Sequence, residues 1–324
     1  MNAKPPYITI ITPCYNESVI ITRFLDSLET TLIILPYRFC VVVVNDCSSD
    51  NTLQLLKAFQ FKSGNISLHI VNLKFNVGHQ SAIYQGFLYA QALKSDHFIV
   101  MDSDGEDSPA AIPALLENSD ADIVNVVRSK RKESMWFKLF YRIYKIAFKF
   151  VTGKRMNFGN FCLISRSVLE CAVYSTFSHL AAFLSRQKFS IRYITVDREE
   201  RIGGQSKMGF KKLFYHAFRS FVEYGEDMLM LFFKSFIVVL IAIMLTTGNV
   251  VYQKFIANTA IPGWFSTVII ALVNLAMMCI GFFVIGILLI HLNNQTRNTK
   301  DPIYESIVPE QDLTTVYDEI RELH

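Results

Sequence analysis

Phe98-Ile-Val-Met-Asp102-Ser-Asp104-Gly-Glu106-Asp107 is the stretch whose reading decides the fold. Its apolar start, Phe98 to Met101, reads as a short buried strand, and carboxylates crowd the C-terminal end. Open α/β sheets bind their ligands at that end of the strands. Carboxylates this close raise one another's pKa unless a cation neutralises them. Mg²⁺ or Mn²⁺ suits such a place, taking oxygen ligands from one or two carboxylates, water and substrate phosphates. The same letters also fit a plain turn, because Asp107-Ser108-Pro109 is a good helix start and Asp-x-Asp is common by chance. The rest of the chain decides between the two.

Strand and helix alternate around this stretch. Tyr7-Ile-Thr-Ile-Ile-Thr12 reads as a strand, and Pro13-Cys-Tyr15-Asn16-Glu17 as a loop opening a helix with Ile20, Ile21, Phe24, Leu25 and Leu28 on one face. Phe39-Cys-Val-Val-Val-Val44 has the valine-rich character of a strand buried on both faces of a parallel sheet. It ends in Asn45-Asp46-Cys-Ser48-Ser49-Asp50, whose last Asp caps a helix from Asn51 to Phe59. Ser67–Val71 is a third strand, Asn76-Val-Gly78-His79 a turn into a helix through Leu93, and Phe98–Met101 the fourth strand. This alternation predicts an α/β fold with a mostly parallel central sheet and right-handed crossovers. Polar residues stand just past three strand ends, Tyr15/Asn16/Glu17, Asp46 and Asp102/Asp104, and line one crevice if those ends are neighbours. The absence of Gly-x-Gly-x-x-Gly and of a Gly-Lys-[Ser/Thr] loop removes support for a dinucleotide fold or a P-loop.

The 324-residue chain is 51% hydrophobic, which is high for a soluble protein. Apolar residues concentrate in Ser235–Val251 and Trp264–Leu292, around a polar loop with Asn258 and Pro262-Gly263. A membrane span needs about 20 apolar residues. The second run is long enough, and the first becomes so when Met228–Phe233 extends it, with Lys234 snorkelling to the interface. Arg198, Arg201, Lys207, Lys211, Lys212 and Arg219 precede the first run, and Arg297 and Lys300 follow the second, while the loop between carries only Lys254. The positive-inside rule therefore places the large N-terminal part and the C-terminal tail in the cytoplasm. Met1–Pro6 is polar and Ile8–Ile11 too short for a signal peptide. The cysteines (Cys14, Cys40, Cys47, Cys162, Cys171, Cys279) are scattered without a Cys-x-x-Cys pair, as expected of reduced thiols with no zinc site. The formal charge of +4 selects no partner by itself.

Several of these stretches carry a resemblance. Ile11-Thr-Pro13-Cys-Tyr15-Asn16-Glu17, Val44-Asn-Asp46-Cys-Ser-Ser-Asp50, Asn76-Val-Gly78-His79 and Met101-Asp102-Ser-Asp104-Gly-Glu106-Asp107 resemble the signature series of family 2 glycosyltransferases with the GT-A fold. Gly159-Asn160-Phe161-Cys-Leu-Ile-Ser165-Arg166, Arg198-Glu-Glu-Arg201-Ile-Gly-Gly204-Gln-Ser206-Lys207, the two spans and Lys300-Asp-Pro302-Ile-Tyr304 narrow the likeness. They resemble the polyprenyl-phosphate glycosyltransferases, a group that includes dolichyl-phosphate mannose synthase and bacterial undecaprenyl-phosphate sugar transferases. The resemblance implies a membrane enzyme that moves one sugar from a UDP- or GDP-sugar to undecaprenyl or dolichyl phosphate by inverting displacement, in a bacterial inner membrane. It implies a cytoplasmic GT-A domain over residues 1–225, two membrane helices over 226–292 and a cytoplasmic tail over 293–324. The spans then serve as lipid guides, anchors or a homo-oligomer interface.

By the same resemblance, Pro13, Tyr15, Glu17 and Asp46 cradle the nucleobase and ribose, and Asp102 and Asp104 hold Mg²⁺ or Mn²⁺ on the donor diphosphate with Glu106 nearby. Arg198, Arg201, Ser206 and Lys207 bind phosphate, and Arg201 joins Asp102, Asp104 and Asn160 as the catalytic group. Asn45 and Cys47 stand where the family often has Asp and Gly, Ala110 replaces a usual Glu, and Asn160 replaces a common Asp. The last change is tolerable. A lipid phosphate is already anionic near pH 7, because its second pKa is about 6, so the acceptor needs no strong base and Asn160 is expected to position rather than deprotonate.

From Arg128 to Arg155 basic and aromatic residues interleave, and Lys138, Arg142, Lys145 and Lys149 follow helical spacing. Beside two spans this reads as an amphipathic helix over 128–155 lying in the membrane interface, with Arg128 and Arg131 near the lipid phosphate, rather than as a nucleic-acid site or a solvated helix. His79 and His179 lack a metal-binding neighbour at suitable spacing and receive no catalytic role. A polysaccharide synthase would carry a Gln-x-x-Arg-Trp motif and more spans, and neither is present. A non-catalytic membrane scaffold would have no use for the Asp102/Asp104 pair.

Overall fold

The computed structural model describes residues 6–128, 149, 159–175, 177–196, 224–257, 263–296 and 302–307. Contacts divide the chain into a sheet-bearing unit and a unit holding two long helices.

The sheet unit runs β1 (Tyr7–Cys14), α1 (Ile21–Leu32), β2 (Arg38–Asn45), α2 (Thr52–Ala58), β3 (Ile66–Leu73), α3 (His79–Ala90) and β4 (His97–Val100). It continues through α4 (Ile112–Glu117), β5 (Ile123–Arg128), β6 (Cys162–Ser165), α5 (Arg166–Ser175), α6 (Leu180–Arg186), β7 (Ile191–Val196) and β8 (Tyr304–Ile307). Its strands stand in the order β7-β5-β6-β4-β1-β2-β3-β8. β1, β2, β3 and β4 are parallel, β6 is antiparallel to β4 and β5, and β8 is antiparallel to β3.

The valine run on β2 explains the layering. Val41 and Val43 enter one apolar cluster with Phe24, Leu25 and Leu28 of α1. Val42 and Val44 enter the other with Ala82, Ile83 and Phe87 of α3 and the buried faces of α5 and α6. Alternate side chains thus feed opposite faces of one sheet. α3 lies unusually close to it: a Cβ on Gly86 would stand 2.6 Å from Ile11 Cγ2 and 2.9 Å from Val44 Cγ2. That closeness brings the N-terminal turn of α3 over the C-terminal strand ends.

The expected four strands exist, with edges moved by a residue or two. The deciding stretch begins its strand at His97 and ends it at Val100, so Met101 is already in the loop, although 0% exposed. The helix expected through Leu93 stops at Ala90, and the one expected over Asn51 to Phe59 covers Thr52–Ala58. The helix start at Asp107-Ser108-Pro109 is real as well: Ser108 caps a 3₁₀ turn over Pro109–Ala111. The carboxylate stretch is therefore a strand end and a capped turn together.

The second unit holds α7 (Gly225–Phe255) and α8 (Trp264–Thr296). Within them Leu229–Phe255 and Ser266–Leu289 are long and apolar enough to cross a membrane. The first helix does extend back through Met228–Phe233 and Lys234, as a full span requires. Gly286 lies against Leu229, and Phe233 against Phe283 at 5.4 Å between centroids, so a small residue stands at the contact between the two helices. Gly281 has open space beside it. Most of the interfacial helix expected over 128–155, including Arg131, Lys138, Arg142 and Lys145, lies outside the described residues.

Candidate active site

The sheet order sets β4, β1 and β2 side by side, with the chain moving outward from β1 to β3 before returning to β4 on the other side. This reversal is where open α/β sheets form a crevice. A cleft of about 290 Å³ lies there, lined among others by Pro13, Tyr15 and Glu17 after β1, Asp46 after β2, Asp102 and Asp104 after β4, and Gly78 and His79 at the start of α3. Six residues expected at the site are thus gathered in one place.

Each loop is pinned by a specific set of bonds. Asn16 and Cys47 both take left-handed backbone, with φ of 55° and 54°. Asn16 Oδ1 accepts from Ser49 N at 2.8 Å, Glu17 N donates to Thr52 Oγ1 at 3.0 Å, and Ser18 N donates to Asp50 Oδ2 at 3.2 Å. The run after β2 therefore holds the loop after β1. Asp50 also accepts from Thr52 N at 3.0 Å, but it stands one residue before the expected place: the N-cap is Asn51, which makes no side-chain capping bond. Burial opposes its ionisation, but the bonds from Thr52 and Ser18 outweigh that and hold its pKa at about 2. Left-handed backbone costs a Cβ-bearing residue more than Gly, so Cys47 carries a strain that a Gly at that position would not. Asn45 is 1% exposed and donates to Asn72 Oδ1 at 2.7 Å, a bond that its amide provides.

Asp46 serves the α3 loop directly. Its two carboxylate oxygens accept from Val77 N at 2.8 Å and Gly78 N at 2.9 Å. Burial raises its pKa above the ordinary value, against those two bonds and the nearby His79, which lower it. Gly78, at φ 84°, makes the turn that places His79 first on α3.

The Asp102–Asp107 loop is built around its own carboxylates. Asp107, 2% exposed, accepts from Asp102 N at 2.9 Å; Asp104 Oδ1 accepts from Glu106 N at 2.9 Å; and Ser103 Oγ donates to Pro13 O at 2.9 Å. Asp102 and Asp104 both face the cleft, while Glu106 is not among its lining residues. Cys14, on the cleft floor, has its thiol pKa pushed far up by burial, with Glu17, Asp46 and Asp50 adding to the shift.

His79 was given no role by its spacing, yet it stands in the wall. Its Nε2 is 3.3 Å from Asp102 Oδ1 and 3.0 Å from Asn160 Nδ2. Burial lowers its pKa, against the raising influence of Asp104, Asp107 and Asp46. Asn160 Oδ1 accepts from Gln80 Nε2 at 3.2 Å. His179, as expected of a turn residue, caps α6 by accepting from Ala182 N at 3.4 Å. Arg128 ends β5 and is not among the cleft's lining residues. Arg166, part of the motif around Asn160, is structural: its guanidinium donates to the Gln91, Leu93 and Ser95 carbonyls and lies 5.3 Å from the Phe98 ring centroid. Arg198, Arg201, Ser206 and Lys207 lie outside the described residues.

Comparison with known proteins agrees with this geometry. Residues 9–173 match the family model for glycosyl transferase family 2, and the chain belongs to that family. It is a glycosyltransferase with the GT-A fold. It is 25% identical over 295 residues to the uncharacterized glycosyltransferase YkcC of Bacillus subtilis (strain 168), covering 86% of this chain and 87% of that one. It is 30% identical over 217 residues to the undecaprenyl-phosphate 4-deoxy-4-formamido-L-arabinose transferase of Pseudomonas aeruginosa (strain LESB58), covering 64% of this chain and 61% of the relative's length. Glucosyl-3-phosphoglycerate synthase from Mycobacterium tuberculosis, solved with Mn²⁺, UDP-glucose and phosphoglyceric acid, shares the fold with a TM-score of 0.51 at 16% identity, over 69% of this chain and 80% of that one.

Proposed function

We propose that this glycosyltransferase moves one sugar from a nucleoside diphosphate sugar, with UDP or GDP as the carrier, to a polyprenyl phosphate of the undecaprenyl type at the cytoplasmic face of a membrane. The observation that carries the reading is the cleft where Tyr15, Glu17, Asp46, Asp102 and Asp104 meet, on a chain that also has two helices able to cross a membrane. The likeness to undecaprenyl-phosphate 4-deoxy-4-formamido-L-arabinose transferases supports the acceptor class.

In this reading Tyr15, 47% exposed at the cleft, offers its ring to the nucleobase, and Glu17 and Asp46 face the ribose. Asp102 and Asp104 form a hard-oxygen donor pair that fits Mg²⁺ or Mn²⁺, the remaining positions being filled by donor phosphate and water. Among the described residues no three His, Cys, Asp or Glu side chains are gathered for a metal. When bound, the cation supplies charge that stabilises the departing diphosphate. Arg198, Arg201, Ser206 and Lys207 are assigned to phosphate groups, with Arg128 and Arg131 towards the lipid. The lipid phosphate oxygen attacks the anomeric carbon from the face opposite the leaving group. The bond from that carbon to the diphosphate breaks, its electron pair leaves with the nucleoside diphosphate, and the configuration inverts. No proton transfer is needed, since the attacking phosphate oxygen is anionic before the bond forms and the departing diphosphate oxygen takes up that negative charge when its own bond breaks.

The test is transfer of label from a panel of nucleotide sugars into organic-extractable lipid by purified protein with undecaprenyl phosphate and Mg²⁺ or Mn²⁺. A chelator-sensitive lipid product is expected. Folded protein that neither forms product nor binds UDP or GDP would remove the proposal.

A further inference from the structure

A hydrogen-bond chain crosses the cleft wall, and its direction starts at a group whose polarity is fixed. Leu180 N–H, at the first residue of α6, donates to Gln80 Oε1 at 2.6 Å. Gln80 is 2% exposed, so its amide is oriented by protein partners. Its Nε2 therefore faces Asn160 Oδ1 and donates at 3.2 Å. Asn160 Nδ2 is then aimed at His79 Nε2, 3.0 Å away. An amide NH₂ only donates, so Nε2 accepts, and a neutral imidazole accepting there carries its proton on Nδ1. Turning Asn160 over would set NH₂ against NH₂ at Gln80. Turning both amides over would set Gln80 NH₂ against the Leu180 N–H.

We infer that Gln80 and Asn160 are positioning residues that set the tautomer of His79, holding a proton-free nitrogen 3.3 Å from Asp102 Oδ1. With its proton on Nδ1, His79 presents no N–H to Asp102 at Nε2, on the wall of the cleft where the donor diphosphate is proposed to sit. The functional part rests on the proposed sugar transfer; the tautomer does not. The chain also gives a reason for Asn at 160: an Asp has only acceptors when ionised, so it would need the proton on Nε2.

The test uses full-length protein with ¹⁵N-labelled histidine in detergent, read by long-range proton–nitrogen NMR, with His79 assigned by the signals missing in His79→Gln. The wild type should show a pyridine-like Nε2 and a protonated Nδ1, and Asn160→Asp should show a protonated Nε2. A protonated Nε2 in the wild type, or an unchanged pattern in Asn160→Asp, would overturn the inference. Gln80→Leu removes the middle link without touching His79. Signals averaged over both tautomers are expected, with kcat lowered about tenfold at unchanged donor KM, within the range by which misplaced groups slow reactions. Lower thermal stability with an unchanged tautomer and unchanged kcat would make Gln80 merely structural and overturn its assigned role. The spectra need no turnover, so failure of sugar transfer with every donor would remove the proposed reaction and leave the tautomer decided on its own.

Discussion

Replacing Gly86 with Ala should destabilise the protein, although Ala is the better helix former. Propensity alone favours the change by about 1 kcal/mol. Against it, the new methyl would stand 2.6 Å from Ile11 Cγ2 and 2.9 Å from Val44 Cγ2. Both neighbours are 0% exposed and branched at Cβ, so neither turns aside without leaving its rotamer. Overpacking of this kind costs about 1–3 kcal/mol, and two stiff partners put it near the upper end. The difference leaves a net loss of about 2 kcal/mol. In a domain of about 150–250 residues each kcal/mol moves Tm by about 2–4 °C, so a fall of about 4–8 °C is expected in a thermal melt of the purified protein. Adding Ile11→Leu, which deletes the struck Cγ2, should recover part of the loss. A Tm equal to or above wild type would refute the close packing of α3, since propensity would then have won.

Asp104→Ala should lower chelator-sensitive transfer by about a hundredfold or more, the scale of losing one group that stabilises departing charge; full activity at unchanged metal concentration would remove the metal reading. Asn160→Ala should cost much less in the same assay, and complete loss would show that the Asn160 side chain is indispensable to transfer and refute the supporting role given to it. Arg166→Lys should lower Tm, because a single ammonium replaces a planar fork that reaches three carbonyls and lies against Phe98; an unchanged melt would mean the clamp is idle. Asp50, whose pKa falls from the ordinary 3.8 to about 2 on folding, contributes stability that is present above about pH 4 and lost as pH falls towards 2. The stability gap between wild type and Asp50→Asn should therefore close across that window, and a constant gap would show that the carboxylate's charge is not what holds the loop.

The legible parts of this molecule were those written in contiguous residues. The valines of β2, the alternation of strand and helix and the acidic end of β4 each declare themselves locally, and together they predicted the crevice. Helix ends were less legible, since α3 stops at Ala90 while apolar residues continue to Leu93, which packs in the core beyond the helix. The role of His79 was invisible for a different reason. Its partner Asn160 is 81 residues away, and only the arrival of β6 beside β4 brings the two together. Asn76-Val-Gly78-His79 was the available signal, but spacing alone reads it as a turn. Asp46 shows a third limit: both its oxygens hold the α3 loop, an obligation that no motif records.

β8 comes after both long helices in the chain, yet it pairs with β3 and completes the sheet, from Ile70 opposite Ile307 to Leu73 opposite Tyr304. During synthesis the ribosome finishes the other seven strands seen among the described residues first and must then make α7 and α8. Throughout that interval β3 is a bare edge, the kind of surface on which chains aggregate. Closure of the edge therefore waits until the chain beyond both long helices has been made. A nascent chain stalled before β8 leaves the β3 edge without this strand, so truncation ahead of Tyr304 exposes a sheet edge that the full chain covers.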